Sequence, residues 1–427
     1  MTLSIDGGTL LLPDGEVKRA DIFIEDNRIS DVGDVSEGDE SLDASDCLVI
    51  PGLINAHTHA AMTLLRGIAD DKPLGPWLRE DIWPVEAELT PEDIRSGTEL
   101  AIAEMIRSGT TTFADMYFEE GVVADVVESS GIRAVLGHGV VTVDKTEEEA
   151  RRDVEESLEV AKRLDGRANG RIHGMVTPHG LTTVDDEHLE MLSDGARDLD
   201  VSLHFHASET SEDVEAIRDE YGVNPLEYAD QRGLLRPSTF IAHGVHLTDE
   251  EIDLLAERGA GVVHCPASNM KLASGAAPIG TLRDRGVDVA IGTDGAASNN
   301  DLDMFDELRD AALLGKHARN NASAVPANVA VEFATVGGSA MLGIDAGRIE
   351  PGALADLAII DLQSPHLTPV HNHVSHLAYA ARGGDVKHTI CNGDVLMRDR
   401  ELTTLDSGNV MSNARRRARS LIARAEN

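Results

Sequence analysis

The residues in this chain that could do chemistry are histidines and acids. The clearest are His57 and His59, separated by Thr58 at the end of the apolar, β-branched run 49–56. Residues i and i+2 of a strand share a face, so these two imidazoles would project together from one rigid element. Neutral imidazole is a common metal ligand. Two on one strand make half of a tetrahedral site, and a catalytic zinc adds one or two more N/O donors and an open position. Further candidates recur along the chain: Asp115, His138, His179, His206 with Glu209, His243, His264 and Asp294. A centre of this kind makes water nucleophilic near neutral pH, and a carboxyl group beside it can move protons during hydrolysis.

Such side chains need elements that bring them together. A strand-like run ends at His59, and others follow at 109–116, 133–138, 171–179, 201–206, 239–243, 261–266 and 288–294. Amphipathic helical runs lie between them, at 91–107, 147–164, 186–198, 248–258 and 302–317. Thr90-Pro91-Glu92-Asp93 reads as a helix start, and Thr248 with Glu251 as a capping box. The alternation predicts an α/β fold, a (β/α)8 TIM-like barrel over residues 51–346. Barrel chemistry sits at the C-terminal strand ends, which is where the candidate residues fall. Hairpin patterns at both chain ends, one with an Asn392-Gly393 turn, predict a small β-sandwich domain from residues 1–50 and 347–427. Residues 34–46 read as an exposed acidic loop, and 411–425 as a terminal helix whose arginines pair with the chain's own acids.

Within that frame some choices stay open. His204 and His206 share the inward face of strand five, so periodicity does not choose between them. Glu209 lies past the strand end, where a carboxylate could reach a substrate above the metal. Asp294, in Gly-Thr-Asp-Gly, is either a ligand or a turn former. The long segment 60–89 carries both tryptophans, Trp77 and Trp83, either as a lid against a planar ligand or as packing onto the barrel.

Composition narrows the partners. The 427 residues carry a net charge of −39, and only seven of the 37 cations are lysines. Such a chain repels polyanions, which argues against nucleic acid. The acids are spread along the whole sequence, as expected of a surface kept soluble in a high-salt cytoplasm. No apolar run approaches the ~20 residues of a membrane span. The N-terminus lacks the basic start and apolar stretch of a signal peptide. Cys47, Cys265 and Cys391 are isolated, without the spacing of a thiolate zinc site or a disulfide scaffold, so a cytoplasmic location is expected.

The segments Pro51–His59, His206-Ala207-Ser208-Glu209-Thr210, Ala242–His246, His264–Leu272 and Gly292–Asn300 together resemble the amidohydrolase superfamily. More closely, they are similar to its methylthioadenosine/S-adenosylhomocysteine deaminase branch, which includes 5′-deoxyadenosine deaminases. The resemblance spans essentially the whole chain. It implies His57, His59, His206 and Asp294 as metal ligands, with Glu209 as proton shuttle and His243 as the histidine that orients the nucleophile and helps ammonia leave. Asp294 would take a proton from the attacking water. Binuclear branches bridge two metals with a carboxylated lysine; no strand-four or strand-five candidate here contains Lys, so one divalent metal, Zn2+, is expected.

The resemblance also places Glu86, beyond Trp83, on the ribose hydroxyls and His179 on the purine. His138 stands where members acting on S-adenosylhomocysteine carry an arginine for the amino-acid carboxylate. A conditional cation there implies a preference for 5′-deoxyadenosine, methylthioadenosine or adenosine. Expected partners are a small nucleoside and further copies of the chain in a homo-oligomer, with no nucleic acid and no membrane. Two readings compete: a related hydrolase acting on guanine, a triazine or a similar ring, and a non-catalytic binder on the same barrel.

Overall fold

The computed structural model describes residues 2–36 and 38–426. Its centre is a sheet of eight strands: β1 (Leu53–Thr58), β2 (Thr110–Tyr117), β3 (Arg133–Val140), β4 (Ile172–Pro178), β5 (Ser202–Ala207), β6 (Thr239–His243), β7 (Gly261–His264) and β8 (Val289–Ile291). Each pairs in parallel with the next. The seam between β8 and β1 is drawn together by Asp294 N–H donating to His57 O (3.0 Å) and by reciprocal bonds between the Asn55 amide and Thr293. A side chain at Gly292 would meet the His57 backbone at 2.7 Å, so glycine lets the seam approach closely. Ile54, Ala114, Val135, Met175, Phe240, Val263 and Ala290 form one buried cluster, an apolar floor below the strand ends.

The helices form where amphipathic runs carry caps. Pro91–Arg107 starts on the Thr90/Asp93 capping box, Glu147–Leu164 on Thr146/Glu149 and Asp249–Arg258 on Thr248/Glu251. Each cap satisfies N–H groups that the first turn leaves without partners. Asp186–Asp198 and Met304–Ala318 complete the set expected from periodicity.

The chain ends build one mixed sheet of nine strands. Cys47–Pro51 pairs antiparallel with Leu357–Asp361, joining the N-terminal hairpins to the C-terminal ones. Asn392 and Gly393 turn the hairpin between Val386–Cys391 and Asp394–Arg398 with φ of +55° and +82°. Residues 34–46 are not wholly loop: Glu40–Asp43 pairs in parallel with Thr2–Leu11. Charged residues around Leu42, the one buried position of this four-residue strand, hide the pattern. The terminal helix, Ser407–Ala425, packs on Pro91–Arg107, and Arg417 and Arg424 pair with buried Asp93. Among the described residues no helix is long and apolar enough to cross a membrane.

Candidate active site

Strand alternation alone would not assemble the site; irregular backbone does. Between Asn55 and Thr58, β1 shifts register against β2, with three residues spanning two. This bulge re-aims the side chains that follow Ala56. The His57 and His59 rings lie 4.9 Å apart, and each is 4.9–5.4 Å from His206. On β6, Phe240 belongs to the apolar floor and Ile241 to the core under the helices, so alternation would turn His243 outward. Its φ of +73° breaks the alternation and stacks the ring on His206 at 5.4 Å. Asp294 (φ +61°) and Ser208 (φ +53°) are left-handed too, conformations that non-glycine residues hold only when their surroundings enforce them.

Hydrogen bonds fix which ring nitrogens are free. His204 Nδ1 faces the Phe240 carbonyl at 2.9 Å and must donate, which leaves His204 Nε2 an acceptor in the neutral ring. That nitrogen lies 2.8 Å from His57 Nδ1, so His57 donates there and turns an Nε2 lone pair inward. His59 Nδ1 and His206 Nδ1 donate to the carbonyls of Met116 (2.6 Å) and His179 (2.5 Å). Metal-ligating histidines commonly use the second nitrogen in this way. His57 Nε2 is buried without a hydrogen-bond partner, 3.5 Å from Asp294 Oδ1, and His59 Nε2 is 3.2 Å from the same oxygen. Lone pairs and carboxylate converging on one buried point suit a cation. His57, His59 and Asp294 form one such ligand set, and His57, His206 and His243 another. His204, its Nε2 occupied by His57, is directed away from this role.

Electrostatics agree. Burial pushes His57 and His179 down to about 4, keeping both neutral. Burial opposes charge on His59 and Asp294, yet the close approach of the imidazoles to the carboxylate wins: Asp294 raises His59 to about 9, and His57 and His59 hold Asp294 well below the usual carboxylate range. Glu209 is raised to about 7 by burial, with His243 Nε2 3.5 Å from its Oε2. A carboxyl poised there can hold or release a proton near neutrality.

The substrate-side candidates divide. The His179 ring lies tilted against His206, centroids 4.8 Å apart, with its Nδ1 bonded to Thr183 Oγ1. Glu86 accepts from Tyr117 Oη (2.5 Å), whose ring lies 6.0 Å from His59. Trp83, on the short helix Trp83–Glu86, is 43% exposed, whereas Trp77 is buried and donates to Ala69 O. The tryptophans therefore do different things. His138 pairs with Asp153, which also takes Lys145. Asp115 braces β1, accepting from Thr58 Oγ1 and Ala60 N on either side of His59. His264 is fully buried with both ring nitrogens unpartnered. Sequence reasoning overlooked Tyr117, Ser268, Asn269 and Ser298. The last three lie inside the quoted motifs, which was the available signal.

Comparison with known proteins places this geometry. The chain is 59% identical over 99% of both lengths to a 5-methylthioadenosine/S-adenosylhomocysteine deaminase of Haloarcula marismortui. It is 44% identical to a 5′-deoxyadenosine deaminase of Methanosarcina mazei, covering 96% of this chain and 95% of that one. An adenosine deaminase of Xanthomonas campestris, solved with bound zinc, superposes with a TM-score of 0.93 at 37% identity, over 99% of this chain and 98% of that one. The amidohydrolase family pattern matches residues 48–396, and this chain belongs to the amidohydrolase family.

Proposed function

We propose that the protein is a metal-dependent hydrolytic deaminase acting at C6 of adenosine-type nucleosides, such as 5′-deoxyadenosine, 5′-methylthioadenosine and adenosine. One observation carries the reading: two ligand triads that share His57, one with His59 and Asp294 and the other with His206 and His243, lie beside a carboxyl poised at about 7. His57, His59, His206 and Asp294 would hold a single divalent cation, Zn2+ by analogy with the zinc-bound adenosine deaminase. When bound, the cation supplies the Lewis acidity that makes water nucleophilic at neutral pH.

The residues do the rest. As water adds to C6, Asp294 accepts one of its protons. The ring becomes tetrahedral at C6 only if N1 is protonated, and Glu209 in its acid form delivers that proton. His243, beside Glu209, orients the water and helps carry a proton to the departing amine. Nucleoside plus water thus gives the 6-oxo analogue plus ammonia. Glu86 is set to accept from two vicinal ribose hydroxyls and His179 to contact the purine, with Trp83 at the outer wall.

At the 5′ end, His138 is committed to Asp153, whose carboxylate would repel the carboxylate of an amino-acid tail. S-adenosylhomocysteine should therefore be the poorest of the panel. The test is ammonia release and the adenine-to-hypoxanthine absorbance change, measured in high salt on these nucleosides, S-adenosylhomocysteine and guanine. Turnover of guanine alone would overturn the nucleoside assignment. A far higher kcat/KM for S-adenosylhomocysteine would overturn the 5′ preference.

A further inference from the structure

Two groups of the proposed site, the Asp294 carboxylate and the His243 imidazole, are held by the same small piece of chain. The helix Pro266–Lys271 follows β7 directly. Ser268 Oγ donates to Asp294 Oδ2 at 2.6 Å, and the next residue, Asn269, bonds His243 Nδ1 through its side chain at 2.9 Å. A second hydroxyl, Ser298 Oγ, reaches the same Asp294 oxygen at 2.7 Å from the loop after β8. Asp294 Oδ2 is thereby engaged twice, and Oδ1, which accepts from Gly295 N, is the oxygen turned toward His57 and His59.

The helix and the loop are in turn tied to one buried acid. Glu307, on Met304–Ala318, has no exposed surface. Its Oε2 accepts from Ala267 N (3.3 Å), the residue before Ser268. Its Oε1 accepts from Asn299 Nδ2 (2.6 Å), the residue after Ser298. Asn299 spends its other amide hydrogen on Thr293 O (2.8 Å), beside Asp294. Burial raises this acid well above the usual carboxylate range, and both of its oxygens are occupied by the two segments that grip Asp294.

We infer that Glu307 is a positioning residue: acting through Ser268, Asn269 and Ser298, it sets the Asp294 carboxylate and the His243 ring relative to each other. The inference rests on the proposed site but concerns its frame. A glutamine at 307 keeps the shape and sets an amide nitrogen against one of the two donors, so the frame must shift. Outer partners of metal ligands typically contribute about 10–100-fold to metal affinity or activity.

The experiment uses the zinc-loaded protein in high salt. It measures zinc loss to a chelator, kcat, KM and thermal midpoint for Glu307→Gln, Ser268→Ala, Ser298→Ala and Ser268→Thr. Expected are about 10-fold or faster zinc loss and a similar fall in kcat, KM within about 2-fold, and recovery in Ser268→Thr, which restores the hydroxyl. Adding Glu307→Gln to the Ser268→Ala/Ser298→Ala double variant should cost little more, because the path is already cut. A merely structural role would lower the thermal midpoint and leave zinc retention and kcat of the folded protein unchanged; that result overturns the inference, as does full additivity. If Glu307→Gln does not fold, unchanged zinc retention in both serine variants overturns it, and faster loss supports it. A wild type that deaminates no nucleoside, while Ser268→Ala still sheds zinc faster, would defeat the functional reading and leave the frame standing.

Discussion

At the scale of single residues the site is a set of lone pairs and protons whose positions the hydrogen bonds dictate. Glu209 is the sharpest example, because burial holds its carboxyl at about 7. The proposed general-acid role needs the protonated form, so kcat/KM should fall as pH rises through that value. A dication nearby favours the carboxylate, so the limb should lie at or somewhat below pH 7. Glu209→Gln should lower kcat by about 10²–10³, keep zinc and remove that limb from the pH–rate profile. A variant that retained the wild-type limb would assign it to another group. The ligands make a second prediction. Asp294, 3.2 Å away, raises His59 to about 9, so zinc bound at the proposed ligands would have to displace a proton from that imidazole. Zinc affinity should therefore fall with decreasing pH across the range below about 9, and loading the apoprotein should release protons into a weakly buffered solution. Pairs such as His57 and His59 were legible in sequence because strand periodicity exposes them. Periodicity left His204 and His206 open and only the family resemblance chose His206, since the physical difference lies in which imidazole accepts a bond from His57 across the barrel.

At the scale of elements, the regular parts of the fold were the legible ones. All eight barrel strands and the long helices announce themselves through periodicity and caps. What escaped is irregular: the register shift in β1 and the left-handed turn at His243 have no side-chain pattern, yet they aim the functional rings. The strand Glu40–Asp43 escaped because its surroundings, not its residues, make it a strand. The segment 60–89 shows what sequence leaves undivided. Trp77 is buried with its indole N–H on Ala69 O, and Trp83 faces outward on the helix that carries Glu86. Trp77→Ala should cost ~3–5 kcal/mol of stability, read by urea unfolding. Trp83→Ala should leave the midpoint nearly unchanged and raise KM, since an exposed ring contributes little to packing. A KM unaffected by loss of Trp83 would remove it from the substrate wall.

At the scale of the whole molecule, electrostatic repulsion and one buried ion pair act on different ranges. The net charge of −39 is spread over the surface, and at about 1 M salt the Debye length is only ~3 Å. Stability should therefore climb with KCl concentration as repulsion is screened. Arg133 and Asp356 are the contrast. They meet 223 residues apart in sequence, at the start of β3 and beside the end sheet, with Arg133 Nε 2.9 Å from Asp356 Oδ2. Both are essentially inaccessible to solvent, and Asp356 also accepts from Asn392 N at 2.6 Å. No local pattern marks such a pair, because its two halves belong to segments that only the finished fold brings together. Water and ions do not reach it, so salt cannot screen it. Asp356→Ala leaves a guanidinium buried without its counter-charge and should cost ~3–5 kcal/mol. Urea unfolding at about 0.5 M and about 3 M KCl should give the same loss at both salts, while the wild-type stability itself rises between them. A loss that shrank with added salt would mean that solvent enters the junction and that the end sheet is fastened to the barrel by weaker, outer contacts.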